Sequence, residues 1–239
     1  MPSTYDDIKH RLQPPLDCAE IKDLRGQFFY NRLIVDYKHT DFTGCVLYHC
    51  YPSGIPGAIE LDPAQSEGEV TLKGADLQEA YLWEGNFTGS DLRGADLFGA
   101  DMGKANLERA SIQGANLRGA DLRGANLTGA NLTGANAQGA FLKGADLRGA
   151  NLTGANLRSV SLERADLRGA DLQGVDLERA SLNFTDFKRA NLAGANLAGF
   201  KAYSHSRPDF RMAKYNSKTI FPHWFSPATL MTLVEDDED

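Results

Sequence analysis

Asp146, Asp166 and Asp186 stand 20 residues apart, and each is followed two positions later by a cation: Arg148, Arg168 and Lys188. Stacked carboxylates at the ~4.8 Å spacing of neighbouring strands would repel, and the adjacent cations offset that repulsion. No His or Cys joins them, so the pattern reads as a mixed-charge solvated face and no metal site is expected. His10, His39, His49, His205 and His223 show no metal-ligand spacing. Neither a GxSxG elbow, a Walker loop nor a dinucleotide fingerprint occurs, so no cofactor is expected. With no nucleophile–base pair or acid pair in evidence, the chain reads as a non-enzyme.

Recognition chemistry rests instead on aromatic residues. Tyr81, Trp83, Phe141 and Phe184 break an otherwise polar outward pattern, and all four fall on one face once the chain is wound in coils of 20 residues. Phe98 falls one unit before that face, near its corner. Exposed Trp, Tyr and Phe are candidate anchors for a protein partner. The alternative is that the 51–69 segment or the N-terminal segment covers Tyr81, Trp83 and Phe98. Both readings place something against this face.

The element that positions these residues is a repeat of five, running from Val70 to Gly199 as VTLKG ADLQE AYLWE and ending ANLAG ANLAG. Its central residue is apolar in all 26 units, from Leu72 to Leu197, with Ala137 the one small residue. Period five fits neither a helix at about 3.6 nor a strand at about 2. Glycine two residues after the centre in 17 of the 26 units also argues against helix. A square solenoid fits, with each unit forming one side and four units closing a coil. The central Leu and the small residue two before it point inward, and the other three positions face water. The column is then roughly 31 Å tall. Ala137 leaves a Leu-sized gap between Leu117 and Leu157 unless its neighbours close around it.

A corner running Leu, X, Gly, Ala matches a type II turn, whose third residue needs positive φ. At nine corners another residue takes that place: Glu79, Glu84, Lys104, Arg109, Ser159, Arg164, Arg179, Phe184 and Arg189. A different turn type is expected there.

Units such as ADLRG, ANLTG and ADLQG resemble the A(D/N)LXX motif of the pentapeptide-repeat family. The resemblance covers over half the chain. It implies an all-β fold, a right-handed quadrilateral parallel β-helix. Short helical caps are expected at the termini. The motif residues are structural, so the resemblance carries little about activity. It does imply two uses known among relatives: a DNA-mimicking protector of a type II topoisomerase such as gyrase, and a homodimer through the C-terminal cap.

Charge bears on the first of these. Net charge is −5 over residues 1–69, −1 over 70–199 and −1 over 200–239. A nearly neutral array offers little phosphate-like potential, and no face is basic enough for direct nucleic-acid binding. An unidentified protein partner is therefore the leading expectation. No apolar run approaches the ~20 residues of a membrane span, so no membrane association is expected. Three cysteines, Cys18, Cys45 and Cys50, make no disulfide framework, which points to the cytoplasm. Cys45 and Cys50 take small inward positions and read as structural thiols.

The organisation expected is an N-terminal cap over 1–34, an irregular first coil over 35–50, an inserted loop over 51–69, the solenoid over 70–199, and a final irregular coil, cap and acidic tail over 200–239. Helices are expected over 4–12, and from Asp17 to Arg25. A last helix should begin after Ser226, with Leu230, Met231, Leu233 and Val234 sealing the core.

Overall fold

The computed structural model describes residues 13–17, 28–30, 32–35, 46–48, 51–52, 71–80 and 82–235. Over the array the chain winds as a parallel β-solenoid. The residue before each centre bridges the one 20 positions on, from Thr71 with Asp91 to Ser181 with Lys201. Every central residue from Leu72 to Leu197 is buried, as are the small residues two positions before. Gly85 takes one of these small positions, and a Cβ there would lie 2.6 Å from the Phe87 ring. The missing side chain is what admits Phe87 to a Leu slot. Ala137 is buried in its turn, and its N–H continues the ladder to the Asn156 carbonyl at 2.8 Å.

Backbone hydrogen bonding explains the motif position by position. In the unit 95–99, the Ala95 N–H closes a turn onto the Leu92 carbonyl (3.1 Å). Asp96 donates back to Ala75 (2.8 Å), whereas Leu97 and Gly99 donate forward to Asn116 and Arg118 (2.7 and 3.0 Å). The remaining N–H, that of Phe98, points to neither coil and donates to Oδ1 of Asp96 at 3.1 Å. The same side-chain bond recurs at Asn86, Asn126, Asp146 and Asp166 among others. Asp or Asn is thus selected to satisfy a backbone donor two residues on, beyond merely facing water.

The corner expectation is overturned. All nine non-glycine corners have positive φ, from 53° at Lys104 to 62° at Arg179, beside 63° to 69° at the glycines. Only the third turn residue is left-handed, so the type II turn persists. The reason is the ladder: the corner N–H of Lys104 donates to Arg123 at 2.9 Å, just as that of Gly99 does to Arg118. Long corner side chains lie along the column. The Cγ atoms of Glu79, Lys104 and Arg109 lie within 3.7 Å of where Gly99, Gly124 and Gly129 would carry a Cβ. Two pairs of stacked corner side chains are complementary, Glu84 with Lys104 (3.1 Å) and Arg164 with Phe184 (5.6 Å).

The short helical caps do not form among the described residues. Gln13–Asp17 is a strand, β1, so no helix begins at Asp17. Strands β2 (Phe28–Tyr30), β3 (Arg32–Val35), β4 (Val46–Tyr48) and β5 (Tyr51–Pro52) follow. β1, β3 and β5 pair in parallel, as do β2 and β4. Their register is 18 residues at Leu16–Ile34, Phe28–Val46 and Leu33–Tyr51, two fewer than in the array. Aromatic and β-branched runs such as FFY and LIV favour pleated strands. Residues 4–12, 18–25 and 53–69 lie outside the described residues, as do the three cysteines.

At the other end the coil lengthens. The register offset is 20 at Ser181–Lys201, 23 at Asp186–Asp209 and 24 at Asn196–Ile220. The extra residues bulge at Tyr203–Arg207, held by Asn183, whose Oδ1 accepts from the Tyr203 N–H (3.0 Å) and the Ser206 hydroxyl (2.7 Å). The expected final helix is a single 3-10 turn, Pro227–Thr229, with Ser226 giving no side-chain cap. Beyond it Thr232–Leu233 forms strand β7, parallel to β6 (Lys214–Tyr215). Met231, just before that strand, is buried, while Thr232 and Leu233 within it are exposed. Sealing the core therefore falls to Met231 and a group of rings: Phe187 on Phe210 (4.9 Å), Phe210 against Phe225 (5.2 Å) and Phe225 on Phe221 (5.2 Å).

Candidate interaction surface

The four described aromatic candidates do not meet in one patch. Tyr81 lies outside the described residues. Trp83 is half-buried and lies on the next coil, where a Cβ at Gly103 would come within 2.1 Å of its ring. Lys104 Nζ sits 5.3 Å from the ring centre. Trp83 is thus packed into a gap left by glycine. Phe98 is exposed, with the Arg118 guanidinium 6.0 Å from its ring. Phe141 stands three coils above Trp83, about 14 Å along the axis, and Phe184 about 10 Å further. Between them run charged residues, including Asp121 paired with Arg123 and Lys143 with Glu163 (3.8 Å).

Phe141 and Phe184 each stand where another residue type serves the backbone better. Phe141 occupies the Asp/Asn position, where a ring has no oxygen to offer the N–H two residues on. Phe184 occupies the glycine corner at φ 58°. Both are about half exposed, at 50% and 52%. Each sets aside a rule that most units of the array follow, without burying its ring.

The charged faces are neutralised locally. Arg148 and Arg168 donate twice to their own Asp146 and Asp166 at 2.6 to 3.0 Å. Arg148 also lies 3.8 Å from Asp166, and Lys188 lies 3.2 Å from Asp209, so the pairs join between coils. The bonded guanidinium of Arg148 holds the Asp146 carboxyl below its usual range. Arg211, with help from Lys188, lowers Asp209 to about 2. A cleft of about 590 Å³ runs beside Arg148, Arg168, Lys188, Arg189 and Arg211, and of these cations all but Arg189 are held by the aspartate column. Asp101 shows the converse. Its unit carries Gly103 where a cation could stand, and burial pushes its carboxyl up.

The closing coil holds a surface that sequence reasoning missed, because Trp224 stands outside the repeat and Leu230 reads as a core-sealing residue. They are 51% and 46% exposed. With Phe200, Phe225 and Pro208 they line a cleft of about 530 Å³. Phe200 forms its buried floor, with Trp224 edge-on at 4.9 Å. The sequence signal for it is the end of the five-residue repeat after Gly199, with the register slipping over Ser204 to Arg207.

These features define a parallel β-solenoid with five-residue sides. The pentapeptide-repeat profile matches in eight copies spanning residues 71–199, and the chain belongs to that family. QnrB1, a plasmid-mediated fluoroquinolone resistance protein, has a similar structure: 15% identity, 94% of this chain and 91% of that one, TM-score 0.60. HetL, a pentapeptide-repeat protein involved in heterocyst differentiation regulation in Nostoc sp. strain PCC 7120, is 26% identical over 88% of this chain and 96% of its own, with a TM-score of 0.45. No curated protein matches the sequence significantly. No helix among the described residues is long and apolar enough to cross a membrane.

Proposed function

We propose that the protein is a non-enzymatic interaction or scaffold protein, which presents a rigid solenoid face to a protein partner. The observation that carries this reading is the pair Phe141 and Phe184. Both rings are half exposed at positions where Asn and Gly would serve the fold better. Residues that break a local structural rule without a packing gain are where function is sought. The test is affinity capture from native lysate with Phe141→Asn and Phe184→Gly combined. The variant should melt no lower than wild type and lose a specific partner. Capture of the same proteins by both forms would overturn the assignment of this face.

A second reading, protection of a type II topoisomerase by DNA mimicry, is supported by the rod-like fold shared with QnrB1. Against it stands the pairing of Asp91, Asp146 and Asp166 with their own arginines, which cancels negative charge along that part of the array. Gyrase supercoiling assays with and without a quinolone decide it, and no effect at micromolar protein removes it. Association of two copies through the exposed closing end is a further part of this reading, and sedimentation tests it.

A further inference from the structure

We infer that the cleft of the closing coil is a peptide-binding site, taking a partner segment in which a large apolar side chain is followed closely by a carboxylate. This rests on the protein being an interaction module and names a second surface, separate from the Phe141–Phe184 face.

The cleft lies between the bulge that carries Ser204 and Arg207 and the closing segment that carries Trp224 and Leu230. Its volume, about 530 Å³, suits one large side chain with its neighbouring backbone. Its floor is apolar and firm, because Phe200 is held by Trp224, Phe210 and Phe225 at 4.9, 6.2 and 6.1 Å. A rigid floor keeps the ordering cost of binding low.

Arg207 sets the charge of the occupant. It is the one charged residue lining the cleft, and it is exposed. In the array Arg93, Arg123, Arg148 and Arg168 are tied to an aspartate of their own unit, as Arg211 is to Asp209 only four residues from Arg207 (2.7 Å). Arg207 has no such partner among the described residues. A free guanidinium beside an apolar floor complements an apolar residue next to an acidic one. The bulge that carries it also costs extra residues in a coil that closes with 20 everywhere else in the array.

The experiment is fluorescence anisotropy with a labelled octapeptide holding a central Trp-Glu pair in a Gly/Ser background. Peptides with Trp-Gln and Ala-Glu serve as comparisons. Saturable binding of the Trp-Glu peptide is expected, about 5-fold weaker for Trp-Gln, as suits one solvent-exposed charge pair. Ala-Glu should not bind. Arg207→Gln should erase the Glu/Gln difference and retain binding of both Trp peptides, whereas Trp224→Ser should abolish both. Both changes are on the surface, so melting serves to confirm the fold. Equal binding of Trp-Glu and Trp-Gln to wild type overturns the proposal, as does no saturable signal up to about 1 mM peptide. A wild-type dimer that Trp224→Ser splits, with no peptide binding, overturns it in favour of a second copy in the cleft. Partner capture dependent on Phe141 and Phe184, with no peptide binding, sinks the cleft alone and leaves the interaction role standing.

Discussion

The array and the closing coil solve the same problem with different means. Between residues 71 and 199 each coil repeats the last, so one Leu, one small residue and one Asp or Asn suffice at every side. Layers of Leu and Ala fill the interior, and every backbone donor of a standard unit has a fixed acceptor. From Lys201 onward the coil is longer than 20, and no repeated side chain fits its interior. Rings of different orientation fill it, with polar side chains replacing lost ladder bonds. Gly194 shows this. Its N–H donates to Asn216 Oδ1 (2.7 Å) and to the Thr219 hydroxyl (3.1 Å), where Gly174 donates to a backbone carbonyl. Regularity buries almost all apolar surface in the array, while irregularity leaves Tyr203, Met212, Trp224, Leu230 and Leu233 exposed at the end. Uniform packing gives stiffness, and the break in it gives a shaped surface.

Substitutions in the two regions should therefore behave differently. Leu147→Ala removes a fully buried side chain between two identical layers and should cost about 2–5 kcal/mol in urea unfolding. Leu230→Ala, in the closing coil, should stay within about 0.5 kcal/mol of wild type, because the side chain is already 46% exposed. A comparable loss at both sites would show the cleft to be part of the core. Next in size, Asn216→Ala leaves the Gly194 N–H without its shortest acceptor and should cost about 1–2 kcal/mol. Amide exchange at Gly194 should rise with it.

Smaller effects probe the corners. A Cβ at Gly134 meets nothing within 4 Å, so Gly134→Ala tests backbone conformation alone. It should destabilise by about 1 kcal/mol, and Ser159→Gly, at φ 56°, should stabilise by somewhat less. Thermal melts that move the same way would refute corner strain as the cause. Smallest is the acid response of the aspartate column. Asp209 has a folded pKa of about 2 against 3.8 when unperturbed, so its contribution is fully present above about pH 4 and is lost as pH falls towards 2. Arg211→Gln should flatten that part of the stability profile, and high salt should do the same, since the pair is exposed.

How much was legible follows from where contacts come from. The inward Leu and Ala could be read directly, because a period of five admits only one arrangement of sides. Trp83 could not be placed, since its ring rests on Gly103, a position 20 residues away whose lack of a side chain has no meaning until the coils stack. The interest of Phe141 and Phe184 was visible as apolar residues in polar slots. What they forgo emerged only with the Asp/Asn bond and the left-handed corner.

By itself the sequence determined the winding, the coil of 20 and the composition of the core, because in a repeat the neighbours of each residue lie at a constant offset along the chain. Tertiary structure decided the rest. Stacked coils impose positive φ on Lys104 and Arg179 through the bond from each corner N–H to the next coil, overriding their own preference. The closing coil decides which rings are buried and which line the cleft. Once the offset changes, a residue's neighbours depend on how far the chain bulges, and the residues alone do not fix that distance.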